Sequence, residues 1–234
     1  MARMIPWLQS GEPFPPVDTA LADPNGLLAA SGDLGATRLI DAYRHGIFPW
    51  FSDGQPVLWW SPDPRMVLVP CEIRVTRSLA KVLRNRACVV RADSAFRDVM
   101  RACAEPRPGQ DGTWIGTEMI AAYCALHERG IAHSIETWID GELAGGLYGV
   151  ALGRMFFGES MFTRAPDASK IALVHLARQL TRRGFGLIDC QMHTPHLARM
   201  GGRQLPRAEF MRKLGELVNY PDIPGAWMLD NDLD

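Results

Sequence analysis

The decapeptide LIDCQMHTPH, residues 187–196, gathers a carboxylate, a thiol, an amide and two imidazoles on one short segment. The spacing Cys190-x2-His193-x2-His196, with Asp189 alongside, offers the ligand types of a zinc site. Strand geometry argues against it. LIDCQ reads as a strand, in which alternate residues share a face and rise about 3.3 Å each. Asp189 and Gln191 then share a face, about 6.6 Å apart at Cα, close enough for their side chains to hydrogen-bond. Cys190 points the other way with Ile188 and Met192, as a buried packing thiol. One ion does not easily collect ligands from opposite faces, and no metal is expected. Thr194 can cap a short helix, HLARM, with Pro195 in its first turn. His193 and His196 are then surface, core or loop-orienting residues.

MFFGESMF, residues 155–162, carries a second carboxylate. Strict alternation puts Phe157, Glu159 and Met161 on one face and Gly158, Ser160 and Phe162 on the other. A carboxylate on an apolar face needs a partner. Either Glu159 pairs with an arginine or lies exposed at a sheet end, or an incoming cationic substrate supplies the charge. Trp50, Trp59, Trp60 and Trp114 suit packing, and Trp50 or Trp114 could equally stack on a nucleobase. Arg77, Lys81 and Arg84 follow helical spacing, flanked by Arg74 and Arg86. They form either a solvated face or a phosphate-binding patch.

These residues need elements to hold them. Residues 1–64 are rich in Pro, Gly and Trp and contain one clear helical pattern, ATRLIDAYRHG, stopped at Gly46. They read as a small, loop-rich N-terminal domain, and residues 65–234 as a second domain. There, Thr76 can cap a helix over 77–83, ACVVRAD is a strand, and helices are predicted over 94–104 and 117–129. IAHSIETWI turns at Asp140-Gly141, a hairpin dipeptide. ELAGGLYGVAL turns again near Gly153, and MFFGESMF completes an antiparallel meander. A helix over 168–183, the strand LIDCQ and a last helix over 206–217, with Pro206 as its first residue, finish the chain.

The chain has 234 residues with a net charge of −1, 47% hydrophobic and 22% charged, so a folded globular protein is expected and nothing demands DNA. The start, MARMIPWLQSGEPFPP, lacks the apolar run of a signal peptide, and no stretch suits a membrane span. Five cysteines without a CxxC pair suit a reducing cytoplasm.

Three antiparallel strands, a helix and another strand resemble the GNAT acyltransferase core, an α+β fold. Acetyl-CoA enzymes of that fold grip pyrophosphate with a glycine-rich loop at the entry to the helix after the meander. Here the entry reads TRAPDASK, without glycine. An acetyl-CoA-dependent acetyltransferase is therefore the alternative, and a different acyl donor the preferred reading.

The stretches DPNGLLAASGDL, AYRHGIFPWF, LWWSPDPR, GTWI, HSIETW, GGLYGV, FGESMF and LIDCQ, in this order along nearly the whole chain, resemble the leucyl/phenylalanyl-tRNA–protein transferase family. The resemblance implies a small N-terminal domain and a GNAT-like catalytic domain. It implies transfer of Leu, Phe or Met from aminoacyl-tRNA to proteins with N-terminal Arg or Lys, which sends them for N-degron degradation, without a cofactor. It further implies that Asp189 and Gln191 act on the acceptor amine and that Glu159 lies near the acceptor terminus. On the same resemblance Trp50 and Trp114, with Tyr43 and Tyr123 nearby, are expected around the terminal adenosine, and Met161 and Leu147 in the donor pocket, Leu147 standing where some members have Met. Arg74, Arg77, Lys81 and Arg84 match the tRNA-facing region. In the relay expected here, Gln191 accepts from the amine and Asp189 holds the Gln191 amide NH2.

Overall fold

The computed structural model describes residues 4–52, 54–106 and 113–229. Its N-terminal part holds more regular structure than its composition predicts. Four short strands, β1 (Trp7–Leu8), β2 (Leu27–Ser31), β3 (Phe48–Pro49) and β4 (Val57–Trp60), form a sheet in the order β1-β2-β4-β3. Strands of two residues carry no readable period, which is why only the helix α1 (Ala36–Arg44) is legible here. The chain leaves α1 at Gly46, whose φ is +70°. A Cβ there would come within 2.7 Å of the Met211 sulfur, so glycine serves both the turn and a close approach.

The change to a second sheet falls between Trp60 and β5 (Arg65–Leu68). The second sheet adds β6 (Val89–Ala92), β7 (Ala132–Ile139), β8 (Glu142–Leu152), β9 (Met155–Thr163), β10 (Leu187–Gln191) and β11 (Arg203–Leu205). Their order is β11-β5-β10-β9-β8-β7-β6. Strands β6 to β9 form the antiparallel meander, and β10 joins β9 in parallel. Asp140 and Gly141 both have positive φ, +52° and +82°, as a tight hairpin turn of matching twist requires.

Helices cover both faces. On one side α3 (Phe96–Cys103), α4 (Thr117–Glu128), α1 and α7 (Arg207–Leu217) share an apolar cluster with Phe157 and Phe162. Leu28 and Trp59 of the N-terminal sheet belong to that same cluster. On the other side α5 (Ala168–Arg182) and α2 (Arg77–Asn85) pack with Phe156, Leu147 and Ile188. Thr76 caps α2 by accepting from the Leu79 N–H at 3.2 Å. Thr194 likewise caps α6 (Pro195–Arg199), accepting from Leu197 N–H. Pro206 is the residue before α7 rather than its first residue, because its ψ of 140° is extended.

One irregularity matters most. The β9–β10 pairing ends at Phe157↔Asp189. Immediately beyond, each strand bulges away from its other neighbour's register. Tyr148 and Gly149 of β8 face Ser160 and Gly158, leaving Glu159 as the extra residue. Val67 and Met66 of β5 face Asp189 and Gln191, leaving Cys190 extra. An inserted residue bends its strand and re-aims side chains. The two strands thus part at the point where Glu159 and Gln191 sit.

Candidate active site

The bulges overturn the strict alternation expected of both motifs. In β9, Phe157 faces the cluster with α1 and α4, whereas Met161 joins the cluster under α5, so the two do not share a face. In β10, Gln191 takes φ +61°, and it does not extend beside Asp189 as a regular strand would place it. The Gln191 backbone N–H, not its side-chain amide, donates to Asp189 Oδ1 at 2.9 Å. The side-chain amide donates instead to Glu159 Oε1 at 2.6 Å. The expected relay from Asp189 through the Gln191 NH2 is therefore not the arrangement formed. Gln191 Oε1 meets no donor among the described residues.

Asp189 is inaccessible to solvent and gripped by Arg65 through Nε at 2.8 Å and Nη2 at 2.7 Å. This fork neutralises the carboxylate. The guanidinium itself lies 4.8 Å from the Phe48 ring centre and 4.7 Å from that of Phe210. It thereby ties β3 and α7 to the strand split. Sequence reasoning missed Arg65. A signal was present: RMVL is a strand with four buried residues, and an arginine within such a run requires a carboxylate partner.

Glu159 is 8% exposed, and neither an arginine nor open solvent compensates it. Tyr43 Oη donates to its Oε1 at 2.7 Å, and Tyr123 Oη donates to Oε2 at 3.1 Å. The two tyrosine hydroxyls also touch each other. Tyr43 and Tyr123 are fully buried, form no part of the cleft lining and hold Glu159 from below. Burial pushes the Glu159 carboxyl up to about 7, against the opposing pull of the Tyr43 and Tyr123 bonds. Burial, then the Glu159 charge, holds both phenols well above their ordinary range, so they stay donors.

A cleft of about 580 Å³ opens where β9 and β10 part. Its polar side carries Glu159, Ser160 and Gln191, and its apolar end Leu147, Phe156, Met161, Leu173, Leu176 and Ile188. Trp50 and Trp114 line it too, and Trp50, 40% exposed, marks its outer part. Cys190 is half-buried and packs in one cluster with Ile188, as expected; Ile188, Cys190 and Met192 all lie on the cleft lining. Burial, with the Asp189 charge, pushes its thiol far up, which keeps it protonated. His193 and His196 lie on the cleft lining beside Thr194. Burial, then Lys170 and Arg199, pushes His196 down. Among the described residues, no three His, Cys, Asp or Glu side chains converge as metal ligands. Asp167, the residue before α5, pairs with Lys170 at 2.6 Å.

Arg74, Arg77, Lys81 and Arg84 are all exposed, the last three along α2. Arg84 also lines a groove of about 1040 Å³ with Arg86, His175 and Arg178.

Comparison with known proteins finds relatives along nearly the whole chain. Residues 67–215 match the leucyl/phenylalanyl-tRNA protein transferase family, and residues 32–63 match its N-terminal domain. A leucyl/phenylalanyl-tRNA–protein transferase of Thiobacillus denitrificans is 69% identical over 218 residues, covering 93% of this chain and 96% of that one. Its counterpart in Nitrosospira multiformis is 63% identical over 229 residues, covering 98% and 99%. Among solved structures, a GCN5-related N-acetyltransferase from Kribbella flavida aligns at TM-score 0.37 and 11% identity, covering 70% of this chain and 58% of that one. The protein is a transferase of mixed α and β structure. It belongs to the leucyl/phenylalanyl-tRNA–protein transferase family. No helix among the described residues is long and apolar enough to cross a membrane.

Proposed function

We propose that the protein transfers Leu, Phe or Met from aminoacyl-tRNA to the N-terminal Arg or Lys of acceptor proteins and so marks them for N-degron degradation in the cytoplasm. The observation that carries this reading is the cleft at the β9–β10 split, where an apolar chamber meets the Glu159–Gln191 pair. The chamber, with Leu147 and Met161 in its wall, takes the donor side chain. Trp50 and Trp114 flank the terminal adenosine. The exposed Arg74, Arg77, Lys81 and Arg84 meet tRNA phosphates, which fix orientation without reading sequence.

The donor ester is already activated, so the chemistry left to the protein is positioning and proton handling. A free α-amine has a pKa of about 7.7–8.0, so roughly a tenth is neutral at pH 7. Ionised Glu159 attracts the acceptor ammonium and takes its proton, and its pKa of about 7 suits that exchange. Gln191 Oε1, the unoccupied acceptor at the pair, receives a remaining N–H and aims the nitrogen lone pair at the ester carbonyl. The N–C bond forms, the bond from carbonyl carbon to ribose oxygen breaks, and a proton from the amine ends on that oxygen. Asp189 acts as a positioning residue: bound by Arg65, it holds the Gln191 backbone in its left-handed turn.

The test is transfer of labelled Leu, Phe or Met from charged tRNA to an Arg-terminal peptide, with labelled acetyl-CoA in parallel. Label should pass from tRNA and not from acetyl-CoA. Failure with all three charged tRNAs, or efficient acetylation, contradicts the reading.

A further inference from the structure

We propose that Trp227, on the chain beyond α7, sets the depth of the donor chamber by backing Phe156; this rests on the reading of the cleft as the donor site. Trp227 lies outside residues 67–215, the stretch matched by the family. The chain after α7 is held back against the catalytic sheet. Asp222 accepts from the Gly153 N–H at 2.6 Å, and Arg154 donates to the Pro221 carbonyl at 3.0 Å. The Trp227 N–H then donates to Asp93 Oδ2 at 2.6 Å, and the indole stacks on His133 at 3.9 Å with planes 12° apart. The Arg183 guanidinium lies 5.0 Å from the indole. Trp227 is 2% exposed and belongs to the same apolar cluster as Leu147, Leu173, Leu176 and Ile188 of the chamber.

Phe156 connects the two. Its ring lines the cleft and lies 6.0 Å, centre to centre, from Trp227. It also lies directly over Gly149, where a Cβ would come within 2.6 Å of Phe156 Cε1. Gly149 on β8 and Trp227 on the tail therefore bracket the ring. In a close-packed interior a ring shifts only into space that exists beside it. Shortening Trp227 opens that space, Phe156 relaxes into it, and the chamber gains depth. An apolar pocket selects by shape, so the added depth favours the longer Phe side chain over Leu.

The experiment compares kcat/KM for Phe-tRNA and Leu-tRNA, with one Arg-terminal peptide, in wild type, Trp227→Ala, Trp227→Leu and Trp227→Phe. The Phe-to-Leu ratio should rise about ten-fold in Trp227→Ala, less in Trp227→Leu, and stay within about two-fold of wild type in Trp227→Phe. The KM for the peptide should stay constant throughout. A loss of rate shared equally by both donors, with the ratio unmoved, overturns the inference and identifies Trp227 as packing alone. Should Trp227→Ala fail to fold, an unmoved ratio in Trp227→Leu overturns it equally. A wild type that transfers neither donor removes the donor-site reading and this inference with it, an outcome distinct from an unmoved ratio.

Discussion

Two buried carboxylates stand within a few residues of the strand split, and their surroundings differ in kind. Asp189 has a bidentate arginine. Glu159 has two phenols and an amide, all neutral. A guanidinium fork compensates one buried charge, whereas burial among neutral donors pushes the Glu159 carboxyl up to about 7. The difference separates two jobs. In the proposed mechanism Asp189 anchors the bulge that aims Gln191, and Glu159 is the group that exchanges the proton. The sequence places Asp189 closer to the eye, because it shares a strand with Gln191, but the fold turns the Gln191 amide towards Glu159.

The largest expected effect comes from breaking the anchored side. Arg65→Met leaves Asp189 buried without its cation, and urea denaturation should show a loss of about 3–5 kcal/mol. A loss below about 1 kcal/mol would mean that Asp189 is not held by this pair. On the other side, Glu159 makes stability depend on pH. Its carboxyl is raised in the folded state from an ordinary 4.5 to about 7. Folding therefore takes up a proton between these values. The full contribution is present below about pH 4.5 and is lost as pH rises to about 7, a change on the order of 3 kcal/mol. Glu159→Gln should flatten that part of the stability curve, and an unchanged slope would place the titration elsewhere.

Tyr43→Phe and Tyr123→Phe sharpen the comparison further. Each hydroxyl bond pulls the Glu159 carboxyl down, so removing either should move its titration upward. Each should cost roughly 0.5–1.5 kcal/mol of stability. A downward shift would show that the phenols do not stabilise the ionised carboxylate. The smallest effect on folding is expected at the exposed face of α2. Arg77→Ala and Lys81→Ala should change stability by less than about 0.5 kcal/mol. They should weaken tRNA binding and flatten its decline with salt, as filter binding at several salt concentrations would reveal. Wild-type affinity unchanged between low and high salt would remove the phosphate assignment.

The parts of this arrangement that follow local rules were legible in the sequence. Periodicity revealed α1, α4 and α5, the Asp140-Gly141 turn was named by its residues, and Thr76 and Thr194 were visible as caps. The bulges at Glu159 and Cys190 were not, because one extra residue leaves no compositional mark and yet reverses every face beyond it. Nor could sequence show that Tyr43 and Tyr123, 80 positions apart on α1 and α4, meet at one carboxylate. Trp50, Trp114, Leu147 and Met161, far apart in the chain, line one cleft. What sequence left open was which carboxylate holds a cationic partner, since that depends on Arg65, 124 positions from Asp189.

The most direct measurement is the pH dependence of single-turnover aminoacyl transfer, at saturating charged tRNA and acceptor peptide, in wild type and Glu159→Gln. With Glu159 as the proton acceptor, the wild-type rate rises to a shoulder near pH 7, beside a second limb near pH 8 from the peptide amine. Glu159→Gln should be slower and keep only the amine limb. A variant that retains the limb near pH 7 would contradict the assignment of the mobile proton to Glu159.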